Sequence, residues 1–169
     1  MSRFVPDMYV KDILSINYDK LKKNKIKILL FDFDNTIIAH KVYELDKEYI
    51  KLFEKLKKDF KVYIISNSFN SKKLSNLCKE LNLSYIGRSL KPSSHGFKKI
   101  KHDYENKNIA MVGDQMITDI WGAKRMGYFG ILVDPINKKN EVFFTKINRK
   151  IEELIIGKIN NFKRGDYYD

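Results

Sequence analysis

Apolar residues along the chain fall into short blocks of two kinds. Ile26 to Phe31 is a nearly continuous run ending in carboxylates, and Lys61 to Ile65 is another ending in Ser66 and Asn67. Runs of this length, apolar throughout, predict strands buried on both faces. Between them Leu45, Tyr49, Leu52, Phe53 and Leu56 recur at helical spacing among Lys and Glu, so an amphipathic helix joins the two strands. The alternation continues with a helix over about 70–81, a strand over 84–86, a helix after Lys91-Pro92 and a strand over 108–112. A helix over 116–126 then ends at Gly127, a residue suited to a left-handed C-terminal position, and a strand follows over 128–133. Strands alternating with helices predict an α/β fold: a three-layer α/β/α sandwich around a mainly parallel sheet.

Two flanks lie outside this alternation. Phe4, Val5, Met8, Tyr9, Val10, Ile13 and Leu14 form an apolar stripe, and 141–160 reads as a basic amphipathic helix. Both are expected to pack on the sheet, which makes 1–169 one domain with an N-terminal amphipathic segment over 1–25. At 169 residues and 43% hydrophobic content, the chain is long enough for one sizeable core and short for two. The low content of Gly (8) and Pro (3) excludes a fibrous or linker-rich chain.

Charge changes the picture more than composition does. The net charge is +12, with Lys spread along the whole chain, and two readings stand side by side: a basic face for a polyanionic partner, or a base-composition bias that also enriches Asn and Ile. Cys78 is the single cysteine and has no partner for an intramolecular disulfide, which points to a reducing cytoplasm, and the apolar runs are far below the roughly 20 residues that cross a bilayer.

Candidate chemistry collects at the predicted strand ends, where open parallel sheets bind ligands. Asp32 and Asp34, two apart on an extended chain, point to one side: one is suited to attack phosphorus, the other to exchange a proton with the leaving oxygen. Thr36 is placed to fix their turn through hydroxyl–backbone bonds. A calcium EF-hand loop is disfavoured, because Ile37 and Tyr43 stand where that loop needs Gly and Glu. Ser66 offers a hydroxyl and a backbone donor to phosphate, Lys91 offers a cation, and Asp114, followed by Asp119 in the next helix, suits Mg²⁺. Taken singly, Ser66 suits a helix cap, Lys91 a solvated side chain and Asp119 a helix N-terminal charge; the joint order after successive strands carries the functional reading. His40 follows the first motif closely enough to approach the mouth of such a site.

That joint order resembles the haloacid dehalogenase (HAD) superfamily of phosphatases: Asp32-Phe33-Asp34-Asn35-Thr36, then Ser66, then Lys91, then Gly113-Asp114 with Asp119. The resemblance implies a Rossmann-like core with Asp32 as nucleophile and Asp34 as acid/base, and with Thr36, Ser66, Asn67 and Lys91 at the phosphate. It further implies Mg²⁺ held by Asp32, the Asp34 carbonyl and Asp114, with Asp119 in support. About thirty residues separate Thr36 from Ser66 and about twenty-five separate Ser66 from Lys91, which the core elements use up, so no cap domain is expected and the open site fits a large substrate. Phe4-Val5-Pro6-Asp7, Lys91-Pro92 and Asn148-Arg149 extend the resemblance to the YqeG-type branch, which is similar to the phosphatidylglycerophosphatases of mitochondria and plastids; Ser68 and Leu90 depart from its pattern.

The expected function is therefore Mg²⁺-dependent hydrolysis of a phosphomonoester, with phosphatidylglycerophosphate as the leading substrate. The same chemistry on a nucleotide, sugar phosphate or phosphoprotein is the alternative. A basic, lipid-directed phosphatase would sit in the cytoplasm with peripheral contact to the inner membrane face, through the N-terminal stripe, the C-terminal helix or basic stretches such as 20–27. A nucleic-acid module is the less favoured reading of the charge, and a phospho-accepting receiver is disfavoured because Asp34 turns a stored phosphate into a released one. Oligomeric state is left open.

Overall fold

The computed structural model describes residues 2–68, 71–137, 139, 141, 143–159 and 162–166. Seven strands form one sheet in the order β4-β3-β2-β5-β6-β1-β7. These are β1 (Met8–Val10), β2 (Ile28–Phe31), β3 (Lys61–Ile65), β4 (Ser84–Ile86), β5 (Ile109–Gly113), β6 (Phe129–Val133) and β7 (Gly165–Asp166). All neighbours run parallel except β7, which pairs antiparallel with β1. The central strands β2 and β5 are buried at every position, as their unbroken apolar runs require.

Successive strand residues face opposite layers. Leu29, Phe31, Val62, Ile64 and Val112 pack against Phe53 and Leu56 of α2 (Lys47–Asp59) and Leu74 and Leu77 of α3 (Ser71–Glu80). Ile28, Leu30, Ile109 and Met111 face the other way, onto Phe97 of α4 (Ser94–Phe97) and Ala123 of α5 (Gly122–Arg125). Helix α1 (Tyr18–Lys23) buries Leu21 in the first layer, and α6 (Phe143–Ile156) sets Ile155 and Ile156 against Met116, Ile120 and Leu132. The result is the expected α/β/α sandwich, with no separate cap domain among the described residues. Cys78 is buried on α3, and burial pushes its thiol up to about 12, so it is an unreactive packing group.

Two segments differ from the sequence reading. Part of the N-terminal stripe is a sheet strand: Met8 to Val10 pair with Ile131 to Val133. Asp7 anchors it, accepting from the Gly130 N–H at 2.7 Å and pairing with Lys124 at 2.6 Å. Met8 and Ile13 are buried, and Phe4 stacks on Trp121, so most of this apolar surface is used inside the molecule. The second difference lies after β5, where 116–121 is a π-helical turn before α5. The Gln115 carbonyl accepts from both Asp119 (3.1 Å) and Ile120 (3.3 Å), which accommodates one extra residue in the turn. The predicted end holds: Gly127 has φ +75°.

Candidate active site

Each strand of the central group delivers one polar side chain at its carboxyl end. Asp32 follows β2, Ser66 follows β3, and Asp114 follows β5; all three are buried. Lys91 arrives from the loop between β4 and α4, where Asn67 holds it. The Asn67 amide donates to the Lys91 carbonyl (2.9 Å), and its oxygen accepts from the Lys91 N–H and the Ser89 hydroxyl, both at 2.7 Å. Fixed in this way, the Lys91 ammonium lies 2.5 Å from Asp32 and 2.7 Å from Asp119, and donates to the Ile65 carbonyl at 3.1 Å.

The π turn places Asp119. Its second carboxylate oxygen accepts from the Gln115 N–H (3.1 Å), while the backbone of Gly113 passes so close that a Cβ there would lie 2.3 Å from the Asp119 carboxyl carbon. Only glycine leaves room for that carboxylate. Carboxylate oxygens of Asp32, Asp114 and Asp119 all fall within 4.8 Å of one another. The Thr36 hydroxyl bonds to Asp114 (3.2 Å) and Asp32 (3.5 Å), carboxylates rather than the backbone groups anticipated from its position. Ser66 has less to offer than expected: its N–H is committed to the Ile86 carbonyl (2.9 Å), leaving the hydroxyl.

Asp34 stands apart from the buried cluster. The chain turns at Asn35 (φ +63°), and the partly exposed Asp34 carboxylate lies 3.2 Å from His40 Nδ1. Lys73 of α3 secures the loop beyond, donating to the carbonyls of Ala39 (3.0 Å) and His40 (3.3 Å). Burial lowers the Lys73 pKa, with the nearby Asp34 charge opposing.

A second cation was missed by the strand-end reading. Arg149 of α6 donates to the Asp114 carbonyl at 2.5 Å and pairs with the Asp114 carboxylate, with Glu141 (2.9 Å) and with Glu152 (3.2 Å). Asn148-Arg149 belongs to the motif pattern, but a basic residue on a basic helix carries no signal that it turns inward. A cleft of about 400 Å³ opens beside Asp114, between the end of β6 and α6, with Arg149, Lys146 and Lys150 on its wall.

Electrostatics show what the cluster wants. Burial raises Asp32 well above the usual carboxylate range, with Lys91 opposing, and raises Asp114 to about 6, with Arg149 opposing. Three buried carboxylates, all oxygen donors, are thus incompletely balanced by the two cations. A divalent hard cation satisfies this, and Mg²⁺ fits the donor set. When bound, Mg²⁺ neutralises negative charge at a transferring phosphoryl group.

The family model described as mitochondrial PGP phosphatase matches residues 1–137. The chain belongs to this family. As a PGP-phosphatase family member and a capless HAD-superfamily phosphatase, it is 33% identical over 156 residues to the probable phosphatase YqeG of Bacillus subtilis, covering 90% of each chain. It is 24% identical over 163 residues to phosphatidylglycerophosphate phosphatase 1, chloroplastic/mitochondrial, of Arabidopsis thaliana, covering 90% of this chain and 47% of that protein. Among solved structures, the HAD-hydrolase-type protein YfnB of Bacillus subtilis, bound to magnesium, aligns over 76% of this chain and 96% of that one, with TM-score 0.53 and 14% identity, a likeness of fold. The aspartate cluster of this PGP-phosphatase family chain is that of aspartyl-phosphate hydrolysis with Mg²⁺.

The same burial gives the metal-free protein a pH signature. Glu152, beside Arg149, is raised by burial from 4.5 to about 7. Because its folded pKa lies above its unfolded one, its contribution to stability is complete below about pH 4.5 and is lost as pH rises through about 7. In EDTA, Glu152→Gln, which mimics the protonated acid, is expected to melt with the wild type near pH 4.5 and several degrees above it near pH 8. A variant melting below the wild type at pH 8 would contradict the assignment.

Proposed function

We propose that this chain hydrolyses phosphatidylglycerophosphate to phosphatidylglycerol, working from the membrane surface without spanning it. The observation that carries the chemistry is the buried Asp32 carboxylate, 2.5 Å from the Lys91 ammonium and clustered with Asp114 and Asp119. In this reading an Asp32 oxygen attacks phosphorus in line as the ester P–O bond breaks, giving an aspartyl-phosphate. Asp34, the more exposed carboxyl, gives its proton to the departing alkoxide oxygen. It then takes a proton from the water that attacks phosphorus, releasing inorganic phosphate and restoring Asp32. Lys91 and the Ser66 hydroxyl meet the phosphoryl oxygens. Asn67 acts by holding the Lys91 loop, and Thr36 by orienting the Asp32 and Asp114 carboxylates. Asp32, the Asp34 carbonyl and Asp114 would hold Mg²⁺, with Asp119 in support, and the cation would neutralise charge at the phosphoryl group. The substrate is supported by the plant relative's name and by the lack of a cap among the described residues, which leaves room for a lipid headgroup.

The test is a substrate panel with purified protein and Mg²⁺: phosphatidylglycerophosphate in mixed micelles, glycerol 3-phosphate, a nucleotide monophosphate, a sugar phosphate and a phosphopeptide. The lipid is expected to lead by at least about tenfold in kcat/KM, a transition-state difference of roughly 1.4 kcal/mol, and EDTA is expected to abolish turnover. A soluble phosphate turned over faster than the lipid would transfer the same chemistry to that substrate.

A further inference from the structure

Helix α6 has two faces with opposite assignments. One holds Arg149 and Glu152 against Asp114 and sets Ile155 and Ile156 into the core. The other carries Phe143, Ile147, Ile151 and Leu154, spaced by three and four residues and therefore aligned on one side. Their exposures are 72%, 40%, 44% and 71%, whereas the matching apolar positions of α2, Phe53 and Leu56, are almost fully buried. Exposed Lys146 and Lys150 flank this stripe.

The stripe does not stand alone. Val42, Tyr43, Leu90 and Ile136 are exposed as well, and they lie in the loops that follow β2, β4 and β6. In a parallel sheet these loops share one end of the molecule, the end that carries Asp32, Ser66 and Asp114. Leu90 is held at φ +59°, a conformation rare for leucine, with its side chain still in solvent. Exposed Lys41 and Lys139 come from the same loops. Apart from Leu14, Tyr85 and Tyr104, the exposed large apolar side chains lie in the loops at that end and along α6, which reaches the site through Arg149, and they are interleaved with lysines.

We infer that the outer face of α6 and the apolar rim of the site form a docking surface for an anionic lipid bilayer, which presents Asp32 directly to the headgroup layer. Leu, Ile and Phe flanked by Lys match an interface whose headgroups are negative and whose interior is apolar. A second copy of the chain is a poorer occupant, since at net charge +12 two such faces repel. Nucleic acid would satisfy the lysines and leave the aliphatic stripe wet. The inference builds on the lipid-phosphate reading, and its test separates the two.

The full chain is mixed with vesicles of phosphatidylcholine alone or with 30 mol% phosphatidylglycerol, and bound protein is measured by flotation. Binding to the anionic vesicles at least tenfold above the neutral ones is expected, falling at least tenfold in Ile147→Asn/Leu154→Asn and in Lys146→Glu/Lys150→Glu. The Ile147→Asn/Leu154→Asn variant is expected to keep its melting temperature and its turnover of soluble para-nitrophenyl phosphate, since both side chains are exposed. Vesicle binding that persists in both double variants, or a self-association that the same substitutions abolish while vesicles go unbound, would overturn the docking surface. Turnover of micellar phosphatidylglycerophosphate without vesicle binding would remove the surface and keep the substrate. Anionic vesicle binding lost in both variants, with no lipid turnover by wild type, would keep the surface and remove the substrate.

Discussion

Asp32→Asn is expected to lower kcat by at least about 10³-fold, a barrier increase of roughly 4 kcal/mol, while the protein stays folded. The amide is nearly isosteric with the carboxylate but is not a nucleophile toward phosphorus, so the covalent route closes. Folding is expected to tolerate the change for a reason visible in the cluster. Burial and the neighbouring Asp119 and Asp114 charges all raise the Asp32 pKa, so its ionised form is costly where it sits, and Lys91 retains Asp119 as a partner. Rapid quench with a ³²P-labelled phosphomonoester should show acid-stable label on the wild type and none on the variant. A variant that still forms labelled enzyme would move the nucleophile elsewhere.

Arg149→Ala carries the largest expected effect on stability. Its guanidinium, with a side chain only 14% exposed, joins Asp114, Glu141 and Glu152, each nearly buried. Removing the cation that three buried carboxylates share leaves their charge uncompensated, which costs about 3–5 kcal/mol. Urea denaturation in EDTA should show that loss, and Mg²⁺ should recover more stability in the variant than in wild type, because the cation then supplies charge that Asp114 otherwise receives from Arg149. Arg149→Lys should restore only part, since an ammonium cannot span the Asp114 carbonyl and three carboxylates together. Stability within 1 kcal/mol of wild type in EDTA would show that the network is not held through Arg149.

The contrast between these two residues shows what could be read without coordinates. Asp32 is legible because a buried strand announces itself by an unbroken apolar run, and the residue ending that run must lie at the ligand edge of the sheet. The same reasoning found Ser66 and Asp114. It could not find the inward turn of Arg149, 35 residues beyond Asp114, because which lysine or arginine of a basic helix faces the core depends on docking. The nearness of His40 to the mouth is legible from its place after the first motif, but its bond to Asp34 depends on the left-handed turn at Asn35. The N-terminal stripe shows another limit: an apolar segment of a few residues is compatible with a strand or a packed amphipathic piece, and only pairing with β6 decides. For Asn67, position at a strand end was legible, whereas the engagement of its amide with the Lys91 loop was not.

The wide turn at Met116–Trp121 gives the catalytic pocket an unusual kind of vulnerability. Side chains there are aimed by how many residues the turn contains as much as by which residues they are. Losing one residue would let the segment relax into an ordinary helix that leaves the flanking chain nearly in phase but re-aims the side chains of the turn itself, carrying the Asp119 carboxylate away from Gly113 and Lys91. The pocket's geometry is thus written partly in chain length, a parameter that point substitution leaves intact and a single codon deletion erases.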